Sequence, residues 1–193
     1  MPQAQPAAAA RNEPGRAAFA RFFWRVTACH TVTYFVAGVI AYFAFDYRAL
    51  FGTGPLAQFV KPMDSPWIAA GPGLQVVRGL VFALALYPFR RVFLDVSRGW
   101  LKLWGLLVGL AILSTAGASP GSIEGFFYTR LPLSAHLRGL PEVLGQTAAF
   151  SALLVAWYGT PRRAWNVLMG VGVGIVMFTS AAALFLPRPD GFR

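Results

Sequence analysis

Long apolar runs separated by short polar segments dominate the hydropathy pattern of this chain. Each run approaches the length of about 17 to 25 residues that a membrane-spanning helix needs, and the five runs cover residues 26–45, 68–89, 101–118, 141–158 and 164–186. A soluble domain with 56% hydrophobic and only 12% charged residues would expose large apolar patches. The pattern therefore predicts an all-α membrane protein, in which residues 18–187 form a bundle of about five transmembrane helices.

The two ends of the chain differ from the apolar runs. Residues 1–17 are rich in alanine and proline and have no apolar face, so they predict a disordered cytoplasmic tail. Residues 188–193 predict a short outer tail. The first run starts too late and is too long for a secretory signal, and no small-residue cleavage pattern follows it. We expect it to remain as a membrane anchor.

The positive charges are divided unequally between the two sides of the predicted bundle. Ten lie on one side: nine before the first run and in the second and fourth connections, and Lys102 at the start of the third run. Six are spread over longer segments on the other side. The positive-inside rule then predicts a cytoplasmic N-terminus and an outer C-terminus. Because the arginines lie at helix ends, topology and anionic lipid headgroups explain the net charge of +10, and no nucleic-acid partner is expected. The excess of arginine over lysine suggests a bacterial inner membrane.

One charged residue lies inside an apolar run. Arg78 has no acidic residue within ten positions on either side. If its helix begins at Pro66, Arg78 lies about 18 Å along the helix; if the helix begins at Gly73, it lies only about 8 Å along and can extend to the interface. An ionisable residue deep in a membrane marks a functional site by default.

Two polar residues near the start of the fourth run are four positions apart. Glu142 and Gln146 therefore share one helix face, on the side toward which Arg78 would extend. The sequence predicts an outward-facing, ligand-binding pocket formed by Arg78, Gln75, Glu142, Gln146 and Arg138. A structural alternative stays open, since an acid is favoured in a first helical turn and Arg78 could pair with Glu142 or snorkel.

The long connection 119–140 holds the catalytic candidates. An imidazole at His136 near the carboxylate of Glu124 could move protons. His30 and His136 are predicted near opposite membrane faces and cannot share one metal ion, and the single cysteine, Cys29, excludes a disulfide within the chain and a multi-thiolate site. No metal or cofactor is expected.

Small residues recur at helical spacing in two runs: Gly105 with Gly109, and Gly170 with Gly172 and Gly174. Such patterns permit close helix packing, within the chain or with a protein partner or a second copy. Since no P-loop, HExxH or GxSxG motif occurs, the sequence favours a non-catalytic subunit or accessory factor of a larger membrane complex. Two alternatives remain: a binder or carrier of a lipid or small amphiphile, an anionic lipid among them, and an enzyme acting on a lipid-linked substrate.

Overall fold

The computed structural model describes residues 15–113 and 117–185, and these residues are almost entirely helical. The helices are α1 (Gly15–Ala44), α2 (Tyr47–Gly52), α3 (Pro66–Leu86), α4 (Arg90–Leu94), α5 (Gly99–Ile112), α6 (Ile123–Tyr128), α7 (Leu133–Arg138), α8 (Leu140–Gly159) and α9 (Arg163–Phe185). A 3₁₀ turn, Tyr87–Phe89, joins α3 to α4. The described ranges contain no strand, so the all-α prediction is confirmed.

Four helical segments are long and apolar enough to cross a membrane: α1, Pro66–Leu94, Leu133–Gly159 and α9. These support a multi-pass membrane protein. The third predicted span corresponds to α5, whose 14 residues extend about 21 Å, less than the roughly 30 Å of a hydrocarbon core. The apolar run continues past the end of α5 through residues 114–116, which lie outside the described residues. A fifth span therefore stays a prediction.

The predicted terminal segments are only partly covered. Residues 15–17 of the predicted tail lie in the first turn of α1, while residues 1–14 and 186–193 lie outside the described residues.

The helices define two ends of the bundle. The loop end carries α2, α6 and α7; the arginine-rich end carries the start of α1, α4 and the α8 to α9 connection.

Helix α1 occupies the centre of the bundle. It packs against α3, α8 and α9, and α5 packs along α8. Two glycines allow the closest approaches. A methyl group added at Gly79 of α3 would lie 2.8 Å from the Thr27 Cα atom, and one added at Gly172 of α9 would lie 2.8 Å from the Val32 Cγ2 atom. Both crossings therefore need a residue without a side chain.

Helix α3 begins at Pro66, because Ser65 caps it by accepting a hydrogen bond from the Trp67 amide. Pro72 lies inside this helix. The adjacent Gly73 amide donates a hydrogen bond to the Ser180 hydroxyl of α9 at 2.9 Å. A side chain of a neighbouring helix therefore satisfies the backbone amide that follows the proline. Arg78 thus lies about 18 Å from the start of a helix about 32 Å long.

Of the five repeated small residues, four do not pack against other described parts of the bundle. A methyl group added at Gly105 or Gly109 of α5, or at Gly170 or Gly174 of α9, would meet no described atom within 4 Å. Only Gly172, which lies between the last two, contacts another helix closely. The faces that carry the small-residue pairs are therefore open.

Candidate ligand-binding site

A cleft of about 370 Å³ separates α3 from the α5 and α8 pair, with α1 as its floor. We call it the central cleft. Its polar lining residues are His30, Tyr34, Arg78, Glu142, Gln146 and Thr147. Its apolar lining residues are Phe82, Leu107, Leu110, Ala111, Val143 and Phe150. The cleft thus combines opposite charges with an apolar border.

Arg78 extends from α3 into this cleft without a charged partner. Its guanidinium lies 5.8 Å from the centre of the Phe82 ring, one helical turn further along. Within residues 15–113 and 117–185 it forms no ion pair and no hydrogen bond. The ion pair with Glu142, which the sequence left open, is not formed. The five N–H donors of the guanidinium remain available to a ligand.

His30 is held on the cleft floor by Gln75. The His30 Nε2 atom lies 3.1 Å from Gln75 Oε1, and Gln75 Nε2 donates to the Gly71 carbonyl at 3.2 Å. Because the amide nitrogen of Gln75 is directed to that carbonyl, its oxygen accepts from His30, and Nδ1 of the neutral ring is left as an acceptor. Gln75 therefore acts by orienting a residue that lines the cleft.

Glu142 lies at the loop end of the cleft, where α2 supports it. The Tyr47 hydroxyl donates a hydrogen bond to Glu142 Oε2. Burial, and then this hydrogen bond, raise the pKa of the Tyr47 hydroxyl, so it stays a donor at neutral pH. One turn along α8, Gln146 Nε2 lies 3.4 Å from Thr33 Oγ1 and donates to it. Both side chains thus have defined orientations.

Tyr34 lines the cleft with the two charges. It is within electrostatic range of both Glu142 and Arg78, and His30 is within range of Arg78. The central cleft is therefore one electrostatic unit with a basic side and an acidic side.

Three of the predicted ligand-binding residues, Arg78, Glu142 and Gln146, line the same cleft, and Gln75 supports it through His30. Arg138 does not join them. It lines a separate depression at the loop end, beside Asp46 and the start of α2. Arg138 is the last residue of the short helix α7 and is exposed.

The catalytic candidates also lie outside the central cleft. His136 is 3% exposed; its Nδ1 atom accepts from the Gly121 amide at 3.1 Å, and its Nε2 atom lies 3.4 Å from Thr129 Oγ1. Both ring nitrogens are therefore occupied by contacts that fold the loop. Glu124 lies in the first turn of α6, a helix capped by Ser122. Across the described chain no three His, Cys, Asp or Glu side chains converge as metal ligands would.

Tyr34 and Tyr47 were not predicted from the sequence, and His30 was considered only as a metal ligand. One local signal was available: His30 and Tyr34 are four residues apart and share a face of α1. Nothing local pointed to Tyr47, since its contact with Glu142 joins residues 95 positions apart.

The arrangement can hold a group with both hydrogen-bond acceptors and donors against a charged, partly apolar wall. Arg78 is suited to an acidic group, and the free oxygens of Glu142 and Gln146 are suited to donors. Comparison of the chain with protein-family models, with curated proteins and with solved structures finds no match.

Proposed function

We propose that this integral membrane protein binds an amphiphile with an acidic head group in the central cleft, with Arg78 as the principal contact. The observation that supports the proposal is the position of the guanidinium: midway along an apolar helix, inside a cleft, and without an ion pair among the described residues. A charge in that position is costly unless an anion or water compensates it.

A planar guanidinium is suited to this task. It can donate two parallel hydrogen bonds to a carboxylate or a phosphate, and such charge-assisted bonds are about twice as strong as neutral ones. Helix α3 packs on α1 and α9, so Arg78 is attached to a fixed wall. The close contact of Gly79 with Thr27 holds that wall directly beside the arginine.

The border of the cleft is suited to an acyl chain. Leu107 and Leu110 from α5 face Phe82 from α3 across the opening. Since α5 packs along α8 and α3 packs on α1 and α9, the cleft opens sideways between α3 and α5. An amphiphile can then place its head group on Arg78 while its chain stays among lipids.

Bound lipid measured on purified protein tests this proposal. The wild type, Arg78→Gln and Arg78→Lys are purified in mild detergent, and phospholipid per protein is quantified by mass spectrometry. We expect Arg78→Gln to lose bound lipid about tenfold, since a charged hydrogen bond contributes roughly 1.5–3 kcal/mol. Arg78→Lys should retain part of it, because the charge remains while the two-pronged contact is lost.

Arg91→Gln is the matched control, since Arg91 is an exposed arginine in the last turn of α4 and lies away from the cleft. It should retain lipid as the wild type does. The melting temperature of Arg78→Gln should stay close to that of the wild type, because Arg78 has no hydrogen bond or ion pair to lose among the described residues. Equal lipid content in wild type and Arg78→Gln would refute the proposal.

A second candidate function, a subunit of a larger membrane complex, is favoured by the open glycine pairs. Helix faces with small residues at i and i+4 allow another helix to approach closely, and those of α5 and α9 meet nothing within the bundle. Replacing Gly170 and Gly174 together with isoleucine should then reduce the size of the purified assembly. Gly145→Ile, at another open helical glycine, is the control. An unchanged size would exclude these α9 glycines as the contact.

A further inference from the structure

The central cleft carries a second charged pole, at its loop end, that an acidic head group alone does not use. We infer that its ligand is zwitterionic, with the acidic group at Arg78 and an ammonium group at Glu142, as in an aminophospholipid head group. The inference rests on the proposed function and names its ligand class.

The two charges of the cleft are on opposite walls and do not neutralise each other. Arg78 belongs to α3 and Glu142 to α8, and no ion pair joins them. Arg78 and Glu142 are both within electrostatic range of Tyr34. A group bound at one of the two charges is therefore also affected by the other charge. A ligand with only a negative charge would satisfy Arg78 but approach the Glu142 carboxylate, whereas a zwitterion compensates both charges.

The depth of the two charges matches the order of groups in such a ligand. Glu142 is the third residue of α8, about 3 Å from its start, and Arg78 lies about 18 Å along α3. Both helices begin at the loop end, so the acid is shallow and the base is deep. Both side chains nevertheless line the same cleft. An aminophospholipid of the leaflet at the loop end, entering sideways between α3 and α5, presents its ammonium at the shallow position and its phosphate, next to the acyl chains, at the deep one.

The shallow pole offers the acceptors that an ammonium group needs. Tyr47 occupies Oε2 of Glu142, and the other carboxylate oxygen remains free. Gln146 donates its amide to Thr33, which leaves its oxygen as an acceptor. These two acceptors can take two of the three N–H donors of a primary ammonium.

A competition between two phospholipids tests the inference. Wild-type protein in mild detergent is given equal amounts of phosphatidylethanolamine and phosphatidylglycerol with the same acyl chains, and the bound ratio is measured by native mass spectrometry. Both lipids carry the phosphate for Arg78, but only the first carries an ammonium. We expect a preference of about tenfold for phosphatidylethanolamine, the ratio typical of one charge-assisted hydrogen bond.

The variants separate the two poles. Glu142→Gln should bring the ratio close to one while phospholipid still binds through Arg78. Glu124→Gln, which changes an acid in the loop helix α6, should keep the wild-type preference. Arg78→Gln should lose both lipids.

One comparison needs no variant and so does not depend on the folding of Glu142→Gln. Acetylation of the amine of phosphatidylethanolamine removes the ammonium and keeps the phosphate, and wild-type protein should then lose its preference. A wild type that binds all three lipids equally, or prefers phosphatidylglycerol, would overturn the zwitterionic ligand. A wild type that binds none of them would overturn the proposed function instead.

Discussion

Gly79 offers the sharpest test of how α3 is placed against α1. A methyl group at this position would lie 2.8 Å from the Thr27 Cα atom, and an ordinary contact is at least 3.4 Å. In Gly79→Ala the two helices must therefore separate by about 0.6 Å along this direction. The nearest atom belongs to the backbone, so no side-chain rotation relieves the contact.

The expected loss of stability in Gly79→Ala can be bounded from the costs of similar substitutions. Forcing one extra methyl group into a packed contact costs about 1–3 kcal/mol, whereas replacing a helical glycine by alanine gains up to about 1 kcal/mol where space is free. Gly79→Ala should therefore lower the free energy of unfolding by about 1–2 kcal/mol. Gly105→Ala, where the added methyl meets nothing within 4 Å, should leave it equal or slightly higher.

Thermal unfolding of the purified variants in one detergent measures both effects. Gly172→Ala provides a second comparison, because its nearest atom is the side-chain Cγ2 of Val32. Adding Val32→Ala should restore stability to Gly172→Ala, whereas Thr27→Ala should not restore it to Gly79→Ala. If Gly79→Ala has the same melting temperature as Gly105→Ala, the close crossing of α1 and α3 at Gly79 is wrong.

Three further outcomes are expected. In a Cys29→Ser background, a cysteine at position 130 should react with an impermeant thiol reagent from outside the membrane; reaction only after permeabilisation would reverse the predicted orientation. Arg25 is 5% exposed, donates to the Trp157 carbonyl at 3.4 Å and lies 4.4 Å from the Tyr158 ring centre. Arg25→Ala should therefore lower the melting temperature clearly. A melting temperature equal to that of the wild type would contradict a stabilising role for Arg25. His136→Leu should speed proteolysis of the loop 117–139 without changing bound lipid; a lipid loss there would connect the loop to the site.

The apolar helices could be predicted from the sequence because their causes are local. Ser65 before Pro66 favours a helix start by capping chemistry, and the structure places the start at Pro66 and not at Gly73, the alternative that the sequence left open. Hydropathy is less informative about length. The run 101–118 is apolar throughout, but apolarity does not determine where a helix ends, and α5 ends at Ile112.

The candidate site was predictable to the extent that its residues share one helix. The spacing of Glu142 and Gln146 predicts that they share one helix face, and both line the cleft. The position of Tyr47 beside Glu142 cannot be predicted in this way, because it depends on how α2 folds back over the bundle. The crossings that bring α1, α3 and α8 together are set by contacts such as that of Gly79 with Thr27, which join residues far apart in sequence.

A ligand in the central cleft is expected because the charge of Arg78 is not fully compensated by the described residues around it. An arginine at the centre of a spanning helix costs about 2.5–3.5 kcal/mol on insertion scales. The Phe82 face can return about 0.5–2 kcal/mol. His30 faces Gln75, and the Glu142 carboxylate is engaged by Tyr47, so neither provides the remainder. A phosphate or carboxylate in the central cleft would supply it, and for that reason the lipid content of Arg78→Gln carries more weight than its stability.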